Sequence, residues 1–120
     1  MTSNKIDFLD MSLWDVFKEP EEEEFKGKKL ISYFAELKRG NTRLGVAGGI
    51  KNPQDAEKTL AEGVDWIMLG RAAMLNHNFP MLYEANSSFL PAEIPVTEDY
   101  LMSEGLSEKF IQYIEKWGFT

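Results

Sequence analysis

Two short segments carry the residue types that could do chemistry: Val46-Ala47-Gly48-Gly49-Ile50 and Met68-Leu69-Gly70-Arg71-Ala72. Each is an apolar run that ends in glycine at the mouth of a helical pattern. Glycine lets a ligand approach the backbone closely, and exposed amides at the start of a helix can hold a phosphate. Arg71 adds a fixed charge and a fork of donors suited to phosphate oxygens. Taken singly, either segment also reads as a plain turn, because glycine at a strand end is common. Taken as a pair, one strand–helix unit apart, they are expected side by side at the same edge of a parallel sheet. That placement points to a phosphate site.

The elements that must position these turns alternate along the chain. Ile6 to Met11 reads as a buried strand. Asp15 to Gly27, with Pro20 and the acidic residues Glu19 and Glu21 to Glu24, reads as a solvated loop. The spacing of Leu30, Tyr33, Phe34 and Leu37 predicts a helix over 28–39, stopped by Gly40 and Asn41. Leu44 to Ala47 is a second strand. Asn52 as cap and Pro53 in the first turn start a helix over 53–62, with Ala56 and Leu60 facing inward and Gly63 closing it. Trp66 to Leu69 is a third strand, and Gly70-Arg71 opens a helix to about Leu75. Such alternation argues parallel strand–helix–strand packing. Residues 86–97, with Pro91 and Pro95, read as an extended loop. A last helix starts at Ser107 and uses Phe110, Ile111 and Ile114 on one face.

Composition narrows the classes of function. The chain has 120 residues, 43% hydrophobic and 28% charged, as expected for one globular domain with a modest core. No apolar run approaches the ~18 residues of a membrane helix. The N-terminus lacks the basic head and apolar stretch of a signal peptide. There is no cysteine, which removes disulfides, Cys-ligated zinc and thiol catalysis, and a cytoplasmic location is expected. With 20 acidic and 13 basic residues, a net charge of −7, nucleic acid is a poor partner. The acidic run is the weak candidate for a metal, and no metal site is expected.

The two glycine segments, the Asp55-Ala56-Glu57 helix between them, the stretch from Gly63 to Ala72 and the trailing Leu75-Asn76-His77-Asn78-Phe79-Pro80 resemble the end of the barrel of old yellow enzyme-type NADH:flavin oxidoreductases. The likeness covers about residues 6–80. A glycine-pair-then-glycine pattern also occurs in other phosphate-binding barrels, such as the inosine monophosphate dehydrogenases, and the Gly70-Arg71 pair followed by Asn and Pro favours the flavin family. The resemblance implies an α/β fold that is the C-terminal part of a (β/α)8 TIM barrel, about three βα units corresponding to strands 6–8, over residues 1–80. Residues 81–120 would be a C-terminal extension with a terminal helix. It implies that Gly48, Gly49, Gly70 and Arg71 bind the FMN phosphate, with Ala47 and Ile50 as weaker candidates.

The function so implied is the FMN-binding portion of a flavoprotein oxidoreductase. Such an enzyme takes hydride from NADH or NADPH and reduces activated alkenes or related acceptors. The family holds its substrate through a histidine pair, or histidine and asparagine, on an earlier strand absent from this chain. No catalytic residue is therefore assigned, and the chain is not expected to turn over alone. The alternatives are a non-catalytic phosphate- or FMN-binding module and an inactive truncated product, since Met1 stands just before what resembles an inner strand. His77, the single histidine, reads as a surface or loop residue. Tyr33, Tyr83, Tyr100 and Tyr113 read as helical or tail residues. Trp14 stands near the expected mouth of the site, and its commoner reading is a partly buried loop aromatic. Open sheet edges predict self-association or pairing with a complementary N-terminal barrel half.

Overall fold

A computed structural model describes residues 6–120. The expectations that concern residues 1–5 lie outside that range. The described chain forms two compact units that divide between Leu69 and Gly70.

The first unit holds three strands: β1 (Phe8–Ser12), β2 (Arg43–Ala47) and β3 (Trp66–Met68). They form one parallel sheet in the order β1-β2-β3, with Met11, Val46 and Ile67 in register across it. Helices α1 (Leu30–Ala35) and α2 (Pro53–Ala61) make the crossovers. Side chains alternate across a strand, so Leu9, Met11, Leu44, Val46 and Ile67 share one face. They pack with Leu13, Val16, Ile31, Ile50, Ala56 and Val64 into the core of this unit. On the other face stand Phe8, Asp10, Gly45 and Trp66. The Trp66 indole lies across Gly45, where a Cβ would meet ring atoms at 2.2 Å. It reaches the Phe8 ring edge-on at a centroid distance of 5.6 Å.

This arrangement overturns the expected fold class. The described residues form a single sheet of only three parallel strands, accompanied by six α-helices, and not three βα units of a TIM barrel. Two physical reasons stand out. On the face that would line a barrel Phe8 is 60% exposed and Asp10 is exposed, so among the described residues no further strand closes over it. The helix after β3 belongs to the second compact unit, so the third repeat is not completed within the first.

Local corrections have equally local causes. Helix α1 is shorter than its apolar spacing predicts, and Ile31 is its buried residue while Leu37 is exposed. Its end is fixed by Arg39, whose guanidinium donates to the carbonyls of Ala35 (3.5 Å), Thr42 (3.2 Å) and Gly63 (3.4 Å). A cation taking the last carbonyls is a common helix stop. In α2 the inward positions are Pro53, Ala56 and Thr59, and Leu60 is 45% exposed. Thr59 is tolerated there because its hydroxyl donates to the Asp55 carbonyl at 2.6 Å.

The second unit is helical: α3 (Arg71–Leu75), α4 (Phe79–Ala85), α5 (Glu98–Ser103) and α6 (Glu108–Ile114), closed by a 3-10 turn over Glu115–Trp117. Leu101, Ile111, Ile114 and Phe119 form its core, flanked by Met74, Leu75, Val96, Tyr100, Leu106 and Phe110. Ser107 caps α6 as its sequence predicts, accepting from the Phe110 amide at 3.2 Å. Thr97 does the same for α5 through the Tyr100 amide at 3.0 Å.

Candidate functional site

The carboxyl ends of parallel strands are where open α/β sheets take ligands. In the first unit this edge is built by the chain leaving β1 and the turn after β2. The Leu13 amide donates to the Ala47 carbonyl at 2.9 Å, and the Val16 amide donates to the Gly48 carbonyl at 3.0 Å. Between these two anchors Trp14 and Asp15 arch over the turn. Gly48 and Gly49 have φ of 144° and 67°. A Cβ on Gly48 would stand 2.8 Å from the Trp14 nitrogen and 3.0 Å from the Asp15 nitrogen. A Cβ on Gly49 would lie 3.3 Å from the Trp14 carbonyl oxygen. Gly48 is thus required by the backbone of the neighbouring loop, and Gly49 by its own left-handed φ, whatever else they bind.

The turn leaves donors over. Among the described residues, the amides of Gly49 and Ile50 have no hydrogen-bond acceptor, while the pairing of Ala47 with Met68 turns the Gly48 amide toward β3. Successive amides in such a turn form a concavity that suits an anion. The helix that follows supplies less than expected. Asn52 Oδ1 accepts from the Asp55 amide at 2.8 Å, and Asp55 Oδ2 accepts from the Lys51 amide at 3.1 Å. This reciprocal cap already uses donors at the start of α2. The anion-binding capacity therefore lies in the turn and not in the helix end.

Trp14 has φ of 67°, a left-handed backbone that costs a residue with a Cβ about 1–2 kcal/mol. Its side chain is 84% exposed, so it is not the partly buried loop aromatic expected from sequence. Nothing in the sequence marks this position, because the residue types that signal positive φ are Gly, Asn and Asp. Asp15 supports the arch, its Oδ1 accepting from the Phe17 amide at 2.9 Å.

Gly70 and Arg71 open the second unit, so the four expected phosphate ligands are split between two units. Gly70 caps α3 through its carbonyl, which accepts from the Ala73 amide at 3.0 Å. A Cβ there would meet nothing within 4 Å. Arg71 is exposed and makes no ion pair among the described residues. Its guanidinium carbon lies 5.4 Å from the centre of the Trp117 ring.

His77 serves its own unit. Its Nδ1 lies 2.5 Å from Glu104 Oε2, which also accepts from the His77 amide at 2.9 Å. The His77 ring and amide hold the Glu104 carboxyl below the usual range. Tyr100 donates to the Leu75 carbonyl at 2.5 Å, and burial, then Glu104, pushes its hydroxyl up. Tyr33 donates to the Phe25 carbonyl at 2.9 Å. These groups are engaged in structure. Among the described residues no cluster of three or more His, Asp or Glu side chains could hold a metal ion, and no helix is long and apolar enough to cross a membrane.

Comparison with protein-family models, with curated proteins and with solved structures finds no match to this chain.

Proposed function

We propose that the chain binds the phosphate of FMN on the Gly48–Gly49 turn, as the cofactor-binding portion of an NADH- or NADPH-dependent flavin oxidoreductase. The observation that carries this reading is the pair of successive amides, Gly49 and Ile50, without acceptors at the carboxyl edge of a parallel sheet. When bound, FMN supplies hydride acceptance and delivery, and the protein supplies its position. The chain's own part is to donate the Gly49 and Ile50 amides to phosphate oxygens and to hold the turn in place through the hydrogen bonds of Leu13 to Ala47 and Val16 to Gly48. Gly70 and Arg71 belong to the other unit and stay outside this reading. The engaged state of His77, Tyr33 and Tyr100 favours a second form of the reading, a binding module without turnover.

The test is a titration of FMN into the full chain, followed by flavin fluorescence with inorganic phosphate as competitor. Saturable binding that phosphate displaces is expected, and an absence of binding removes the reading. Association through the open strand edges belongs to the same proposal, and a sharp monomer mass by light scattering at about 100 µM would count against it.

A further inference from the structure

We infer that Trp14 is an aromatic platform, whose indole stacks on the planar ring system of the ligand held by the Gly48–Gly49 turn. The inference rests on the phosphate-binding reading of that turn and names what receives the other end of the ligand, a flavin-type ring.

Three observations lead there. Trp14 is the one non-glycine residue with positive φ among the described residues. Its conformation is fixed from both sides, by the Leu13 to Ala47 and Val16 to Gly48 hydrogen bonds and by two glycines that leave room for its backbone. A glycine or asparagine would make the same arch with less strain. Yet the residue present is the largest of all, and 84% of it faces solvent. Among the described residues its ring has no aromatic neighbour and no cation over it, whereas Trp66 and Trp117 both have ring partners. The fold itself makes no use of the indole. A strained backbone that presents a bulky ring at a ligand-binding edge is the signature of a functional constraint.

The position also selects the occupant. The Trp14 backbone lies directly against Gly48 and Gly49, so the ring is rooted beside the amides that lack acceptors. The next residue, Asp15, is exposed and acidic, which disfavours a second anionic group at the same place. An uncharged planar ring suits the indole face, because stacking depends on a π-surface and not on charge.

Trp14→Gly removes the ring and relaxes the backbone together, and Trp14→Phe keeps an aromatic face. Both are compared with the wild-type chain in titrations of FMN, riboflavin and inorganic phosphate, with thermal unfolding run on each protein. For Trp14→Gly the expected result is FMN affinity lowered about 5- to 100-fold, phosphate affinity unchanged within about twofold, and no loss of stability. Trp14→Phe is expected to retain most of the FMN affinity. If FMN binds Trp14→Gly as tightly as wild type while phosphate still competes, the platform is overturned and the phosphate reading stands. If FMN and phosphate weaken equally, Trp14 only shapes the turn and the platform is again overturned. If the wild-type chain binds none of the three probes, both readings fall. Riboflavin binding that depends on Trp14, without any phosphate binding, keeps the platform and removes the phosphate reading.

Discussion

The turns at Gly48–Gly49 and at Gly70 look alike in sequence and differ in what the backbone asks of them. At Gly48 a single added carbon would run into the Trp14 and Asp15 backbone, and the φ of 144° already disfavours any side chain. At Gly70 an added carbon would enter open space. One glycine is imposed by its neighbours, and the other is not. The same two-letter signal, an apolar run followed by glycine, therefore carries two meanings. Only the space around each residue separates them.

That contrast breaks most readily by substitution. Gly48→Ala is expected to have the largest effect, about 2–4 kcal/mol of lost stability, from positive-φ strain together with a backbone clash. Urea unfolding measures it. A loss below about 0.5 kcal/mol would show that the Trp14 arch yields freely and that the two glycines are equivalent after all. Asp65→Ala comes next, at about 1–3 kcal/mol. Its Oδ2 accepts from the buried Leu44 amide at 2.7 Å and from Arg39 at 3.1 Å, so the change leaves a buried donor unpaired beside β2. Gly70→Ala is expected to stay within about 1 kcal/mol, since nothing crowds the site. A larger loss would show that Gly70 too is fixed by its conformation.

Acid should weaken both units through different carboxyls. In the first, Lys29 and then Ser32 lower Glu62, and the Leu44 amide, followed by Arg39, lowers Asp65. In the second, His77 lowers Glu104. A carboxyl lowered on folding adds stability that is complete above its unfolded value, near 4.5 for Glu and 3.8 for Asp. That stability is lost as pH falls through the lower folded value. Hydrogen exchange should therefore show protection in both units falling only below about pH 4.5. Glu104→Gln should flatten that response in the helical unit and leave it in the sheet unit. A response that Glu104→Gln does not change would remove the His77–Glu104 pair as its source.

Much of the local structure was legible. The three strands fall where apolar runs predict them, within one or two residues. Asn52 with Pro53 and Ser107 mark the starts of α2 and α6, because capping is a matter of residues a few places apart. No spacing in the sequence marks helices α4 and α5, and α1 ends earlier than its apolar spacing predicts, since its end depends on Arg39 reaching back to Ala35. The architecture is not legible for a further reason: a repeating strand–helix pattern does not say how many strands the sheet holds, or that Trp66 lies over Gly45. At the candidate site the glycines are legible and their first neighbour falls near the expected mouth, but its conformation is not legible. That neighbour, Trp14, is of a type that gives no hint of a left-handed backbone.

The Trp66 ring resting on Gly45 and touching Phe8 also sets a rule for how this sequence can drift. A side chain at position 45 has no room while the indole is in place. Conversely, replacing the indole with a smaller residue uncovers the middle of β2 and strands the Phe8 ring. Neither position is free to change alone, so the two should be exchanged as a linked pair, a larger residue at 45 arriving with a smaller one at 66. In a library randomised at both sites and sorted for folding, the survivors would be anticorrelated in side-chain volume.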